Sequence, residues 1–227
     1  MLKRSEGDLD LAARVDTFLE EKLLSVDPVL EGALLKSDAA GLEPIAVSPL
    51  LGAFLQILVK STQAKRILEI GTLGGYSTIW MARALSVDGE LVTIEVDPST
   101  VGIAVQNITS AGLSDRVRVI EGLAADVLTS LIDDDTPPFD FIFVDADKMS
   151  SLQYLELCLK LSRPGTLMVF DNVVRGGRVL EVGCDDPGVM GVQKFLDHFA
   201  ELGGVSVSAL QTVGAKGYDG FAMVVVD

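Results

Sequence analysis

The segment Leu68-Glu69-Ile70-Gly71-Thr72-Leu73-Gly74-Gly75-Tyr76-Ser77 joins an acid, a glycine-rich turn and a hydroxyl. Glycines directly after a short apolar strand let the backbone turn sharply and approach a ligand closely. In open α/β sheets the carboxyl ends of the strands, where this turn falls, are where ligands bind. A dinucleotide fingerprint reads GxGxxG, whereas this turn reads GTLGG and lacks the middle glycine that brings backbone up to a pyrophosphate. Glu69 points instead to a ligand with a cationic end. S-adenosylmethionine (SAM) has one: an acid beside the turn can receive its ammonium, and backbone N–H groups its carboxylate. A second acid, Glu95, closes the next strand, where a carboxylate can accept hydrogen bonds from ribose hydroxyls. Taken singly, the turn is compatible with a bare turn and Glu95 with a solvated charge. Their order along the chain is what favours SAM.

The elements that must position these residues follow from periodicity. Leu11, Val15, Phe18 and Leu19 have helical spacing over Leu9 to Leu24. Asp27-Pro28 and Ser48-Pro49 are cap-plus-proline helix starts, the second opening a helix to Lys60. Strands are then expected at Arg66 to Ile70, Leu91 to Val96, Val117 to Ile120, Phe139 to Val144 and Thr166 to Phe170. Helices alternate with them: Tyr76 to Leu85, Pro98 to Ala111, one after Ala124, and Lys148 to Leu161. Such alternation implies a parallel sheet covered on both faces. A helix near Val189 to Leu202 precedes two strands, Val205 to Leu210 and Phe221 to Val226, joined by the link Thr212 to Gly220 as an antiparallel pair. The expectation is one α/β domain over residues 1–227, with N-terminal helices in 1–60 and a Rossmann-like core in 61–227.

Composition narrows the partners. Eighteen Lys and Arg against 33 Asp and Glu leave a formal charge of −15, which opposes binding to nucleic acid or to an anionic membrane surface. No apolar run reaches the length of a membrane span, and Met1 to Asp10 is too polar for a leader. Cys158 and Cys184 form no CxxC pair and suggest no disulfide framework, so a cytoplasmic protein is expected.

Four segments carry a family resemblance: RILEIGTLGGYSTIWMARAL (Arg66 to Leu85), LVTIEVDP (Leu91 to Pro98), FDFIFVDADK (Phe139 to Lys148) and RPGTLMVFDNVVRGGRV (Arg163 to Val179). From about Val47 to Val179, and weakly again at the C-terminus, the chain resembles the cation-dependent class I O-methyltransferases, the group of catechol and caffeoyl-CoA O-methyltransferases. The resemblance implies a Rossmann-like, mostly parallel seven-stranded sheet with an antiparallel C-terminal strand. It implies that Val47 packs by the methionine end of SAM, that Glu69, Gly71 and Ser77 hold its amino acid part, that Glu95 binds the ribose and that Ala124 contributes to the adenine pocket. Asp145 would join the cofactor site and, with Asp171 and Asn172, bind a divalent cation such as Mg²⁺. Lys148 matches the family's general base, and a homodimer is implied.

That chemistry is self-consistent. Three oxygen ligands suit a hard cation that keeps positions open for water or for two adjacent hydroxyls of a catechol-like or polyphenolic acceptor. One histidine and no clustered cysteines argue against Zn²⁺. Methyl transfer needs little more than deprotonation and alignment. For Lys148 a solvated helix-start lysine is the competing reading, and Asp147 reads equally as the cap of that helix. His198, without a partner motif, reads as structural, and Tyr76 and Trp80 as packing. Val173 to Pro187 could wall or cover the acceptor, with Arg175 and Arg178 either steering an acidic substrate or solvated. The chain departs from the family at Ser48-Pro49-Leu50-Leu51, at Ala146, and at Gly217-Tyr218-Asp219-Gly220, where a GDG turn gains a tyrosine. These departures leave the acceptor open. A nicotinamide-dependent oxidoreductase and a non-catalytic binding protein are the alternatives on a similar fold.

Overall fold

A computed structural model describes residues 6–227, so the first five residues of the segment read as too polar for a leader lie outside it. Three helices open the chain: α1 (Glu6–Leu23), α2 (Pro28–Ala39) and α3 (Pro49–Thr62). Then follow β1 (Arg66–Ile70), α4 (Tyr76–Ala82), β2 (Glu90–Glu95), α5 (Pro98–Ser110), β3 (Val117–Glu121), α6 (Ala124–Asp133) and β4 (Phe139–Val144). The chain ends with α7 (Ser151–Lys160), β5 (Ser162–Asp171), α8 (Pro187–His198), β6 (Val205–Gly214) and β7 (Gly217–Val226). Four helices start the same way. Asp27, Ser48, Asp97 and Asp186 each accept hydrogen bonds from first-turn N–H groups, and each precedes a proline whose missing N–H costs nothing there.

The seven strands form one sheet in the order β3-β2-β1-β4-β5-β7-β6. Strands β1 to β5 pair in parallel, and β7 runs antiparallel to both β5 and β6. This is a Rossmann-like arrangement with an antiparallel C-terminal strand. Side chains alternate across it. Ile67, Phe141, Phe143 and Val169 pack with residues of α2 to α5, and Leu68, Ile70, Ile142 and Met168 pack with residues of α6 to α8. Each buried phenylalanine of β4 contributes on the order of 1.5–3 kcal/mol. The crossover order reverses between β1 and β4, and the crevice at their carboxyl ends is where such sheets bind ligands.

Several segments differ from the sequence expectation: β5 begins four residues earlier, at Ser162, and α4 ends three residues sooner, at Ala82. The helix expected from Lys148 begins as a single 3-10 turn, Lys148–Ser150, before α7. The last helix starts earlier, at Pro187 under its Asp186 cap, and ends at His198. The expected link Thr212 to Gly220 is itself strand: β6 and β7 pair out to Gly214 and Gly217, and Ala215-Lys216 alone makes the turn. Gly217 takes φ +93, which permits so tight a reversal. The Gly217-Tyr218-Asp219-Gly220 segment therefore lies in β7 and is not a turn. Among the described residues no helix is long and apolar enough to cross a membrane.

Candidate active site

The crevice opens into a cavity of about 1490 Å³. Its walls include Val47, Gly71, Ser77, Glu95, Ala124, Asp145, Lys148, Asp171 and Asn172. Nine of the ten residues expected at the site thus face one space. Glu69, the tenth, does not line it.

At one end stands the glycine turn. Gly71 has φ +97, and a Cβ there would lie 2.3 Å from the Asp145 carbonyl oxygen, so only glycine lets β1 leave the sheet beside β4. Glu69 is fully buried beneath this turn. Its Oε1 accepts from Ser77 Oγ at 2.6 Å, and its Oε2 accepts from Thr78 Oγ1. Burial pushes its carboxyl up to about 7, against the lowering effect of the hydroxyls of Ser77, Thr78 and Thr93. The acid therefore reaches the cavity through Ser77. Glu95 spends part of its acceptor capacity on the same turn: Oε2 accepts from Leu73 N at 2.9 Å, and Oε1 from Val96 N at 2.8 Å and Asp97 N at 3.1 Å.

The other end is charged. Val144 of β4 pairs with Phe170 of β5, so Asp145 and Asp171, each the next residue, emerge side by side. Burial, then the charge of Asp145, pushes the Asp171 carboxyl up to about 7; Lys148 and the Asn172 N–H, which donates to Asp171 Oδ1 at 2.8 Å, act the other way. Lys148 Nζ donates to Asp145 Oδ1 at 2.7 Å, with only 12% of its side chain exposed. The lysine is thus drawn into the site and is not solvated. Asp147 caps its turn, accepting from Ser150 N at 3.0 Å, and also accepts from the Tyr154 hydroxyl at 2.5 Å. Asn172 sits at φ +58, a region asparagine tolerates better than most residues. Among the described residues no three His, Cys, Asp or Glu side chains gather as a metal site. The donor set here is two crowded, half-buried carboxylates and an amide oxygen. Two anions compensated by one ammonium are a poor arrangement by themselves and a suitable one for a hard cation.

Several contributors had no assigned role in the sequence reading. Asp219 Oδ1 accepts from Val174 N at 3.0 Å and Arg175 N at 2.9 Å, holding the bend after β5. Ile45, Leu51, Phe54 and the hairpin Gly214 to Gly217 also wall the cavity. Asp16 Oδ2 of α1 accepts from Ala215 N at 2.7 Å and ties that hairpin down. Within Val173 to Pro187 only Arg175 lines the cavity; Arg178 is engaged by Asp186 at 2.6 Å and Glu181 at 3.5 Å. His198 lies outside the lining, and Tyr76 is buried with its ring nearly perpendicular to that of Trp80, although it also touches the cavity.

A sheet of this order with a glycine turn over its reversal point defines a Rossmann-like methyltransferase fold, and the comparisons agree. A family model described as O-methyltransferase matches residues 28–223. A protein named catechol O-methyltransferase from Niastella koreensis is 45% identical over 212 residues, covering 93% of this chain and 96% of that one. One of the same name from Mycobacterium tuberculosis is 45% identical over 212 residues, covering 93% and 94%. The solved O-methyltransferase from Bacillus cereus in complex with SAH aligns at a TM-score of 0.95 with 49% identity, covering 96% of this chain and 100% of that one. An O-methyltransferase from Streptomyces achromogenes involved in tomaymycin synthesis, in complex with SAM, aligns at 0.93 with 42% identity, covering 98% and 99%. The chain belongs to the O-methyltransferase family and is a SAM-dependent O-methyltransferase. The family match gives no support to the nicotinamide-dependent or non-catalytic alternatives.

Proposed function

We propose that the enzyme transfers the SAM methyl group to one of two adjacent hydroxyls on a catechol-like or polyphenolic small molecule, with a divalent cation, Mg²⁺ as the expected ion, at Asp145, Asp171 and Asn172. The observation that carries this reading is the convergence of those three residues and Lys148 on the cavity wall formed by the ends of β4 and β5, next to the glycine turn. At the turn end, Gly71 and Ser77 would hold the amino acid part of SAM, with Glu69 acting from beneath Ser77, Val47 packing by the methionine end and Asp145 bordering the cofactor. Glu95 would take the ribose hydroxyls and Ala124 the adenine.

When bound, the cation supplies positive charge that acidifies an acceptor hydroxyl and fixes the diol. Lys148, in its unprotonated form, would accept the hydroxyl proton on Nζ. The acceptor oxygen forms a bond to the methyl carbon while the carbon–sulfur bond breaks, its electron pair returning to sulfur as a neutral thioether. The protein's share is alignment, holding reacting atoms about 3–3.5 Å apart. The names of the relatives, catechol O-methyltransferase, support the acceptor class. The same reading has residues 1–227 act as one domain in the cytoplasm, without nucleic acid or membrane partners, as a homodimer. Leu11, Val15 and Phe18 of α1, left exposed at helical spacing, support the last point.

The test is a panel of aromatic acceptors with vicinal, separated or single hydroxyls, assayed for methyl transfer with and without EDTA. Turnover confined to the vicinal diols and abolished by chelation is expected. Equal turnover with EDTA would remove the cation, and equal turnover on single hydroxyls would remove the diol.

A further inference from the structure

Three positively charged side chains line the cavity, and two of them are engaged. Lys148 Nζ lies against Asp145, and Lys216 Nζ donates to the Pro44 carbonyl at 2.9 Å. The third, Arg175, pairs with no carboxylate among the described residues, and its Nε is sealed from solvent without a hydrogen-bond partner. Arg175 as a whole is half-buried, but a guanidinium N–H sealed from water without an acceptor is costly, and proteins keep such an arrangement where something else completes it.

The backbone points the same way. Arg175 sits at φ +56, a left-handed conformation, and Gly176 and Gly177 continue the bend at φ +66 and +87. A glycine would take the Arg175 conformation more easily, so the arginine is explained by its side chain. Asp219 fixes the bend through the N–H groups of Val174 and Arg175. The guanidinium lies at the acceptor end. A Cβ placed on Gly188 would be 3.7 Å from Arg175 Nη2 and 3.7 Å from Lys148 Cβ, so both side chains flank the same glycine at the start of α8. Elsewhere the cavity presents Asp16, Glu95, Asp145, Asp147, Asp171 and Asp219, which repel an anion.

We propose that Arg175 is a specificity residue that seats a carboxylate carried by the acceptor, so that the preferred substrates are ortho-dihydroxy aromatic acids over neutral catechols. A planar guanidinium fork matches a carboxylate with two parallel hydrogen bonds. The proposal rests on the vicinal-diol reading for its chemistry, while the anion seat rests on Arg175 alone.

The experiment compares 3,4-dihydroxybenzoate with its methyl ester on the wild type, Arg175→Met and Arg175→Lys. Two quantities are measured: the ratio of kcat/KM values for acid over ester, and the two dissociation constants by calorimetry in the presence of SAH and Mg²⁺. The wild type is expected to favour the acid by about 10- to 100-fold, carried by KM and by affinity. Arg175→Met should bring both ratios close to one, and Arg175→Lys should restore part of the preference. A wild type without preference for the acid, or an Arg175→Met ratio unchanged from wild type while both rates fall together, overturns the proposal. A wild type that binds the acid tightly through Arg175 yet methylates neither compound upholds the seat and removes the diol reading instead.

Discussion

On one side of the cavity, Gly71 and Ser77, with Glu69 buried beneath them, come from a single stretch of chain, joined by Glu95 from the neighbouring strand; this side meets the other where Gly71 abuts the Asp145 carbonyl. On the other, Asp145, Lys148, Asp171, Asn172 and Arg175 come from the ends of β4 and β5, held by Asp219 of β7 and roofed by the β6–β7 hairpin. The first end buffers its one buried acid with hydroxyls. The second leaves Asp171 crowded against Asp145, and Arg175 Nε without a hydrogen-bond partner among the described residues. A site for an invariant cofactor can be completed within the protein. A site for a cation and a variable acceptor stays incomplete until they arrive.

If that contrast is right, variants at the charged end should strike chemistry and variants at the turn should strike cofactor binding or stability. Lys148→Met is expected to lower kcat by about 10²- to 10⁴-fold, the range for loss of a positioned base, with the KM for SAM little changed. An unchanged turnover would return Lys148 to a structural role. Asp171→Asn should lower methyl transfer at least about 100-fold, while SAH affinity measured by calorimetry stays within a few-fold; a parallel collapse of SAH affinity would erase the division between the two ends.

Glu69 gives a test by pH. Its carboxyl is raised in the folded chain to about 7, so the folded state binds the proton more tightly than the unfolded chain does. Its contribution is therefore fully present below about pH 4.5 and is lost as pH rises towards 7, by up to about 3 kcal/mol. Chemical denaturation of the cofactor-free enzyme against pH should show this loss relative to Glu69→Gln, whose profile lacks it; parallel profiles would place the charge elsewhere. The smallest effect is expected from Glu95→Gln, about a tenfold weaker SAM affinity from one charged hydrogen bond, with acceptor KM unaffected.

The same contrast explains what could be read from the residues alone. The strands RILEI and FDFIFV stand where their apolar runs begin and end, because buried parallel strands need such runs. The turn end, local in sequence, was legible for the same reason, although the full burial of Glu69 was not, since nothing in Leu-Glu-Ile tells which neighbours will cover the acid. β6 was read too short because it is an edge strand, exposed along nearly its whole length, and carries little core pattern past Leu210. The role of Asp219 is not legible in the sequence, because its partners, Val174 and Arg175, lie 45 and 44 positions away. Arg175 could not be told from Arg178 until the structure gave the latter to Asp186 and the former to the cavity.

The most direct measurement is a crystal structure of the enzyme grown with SAH and Mn²⁺, the metal located by its anomalous signal. The expected result is one peak bounded by Asp145, Asp171 and Asn172, with the SAH amino acid group at Gly71 and Ser77. SAH in place with no peak between those three side chains would contradict the assignment of the charged end to a cation.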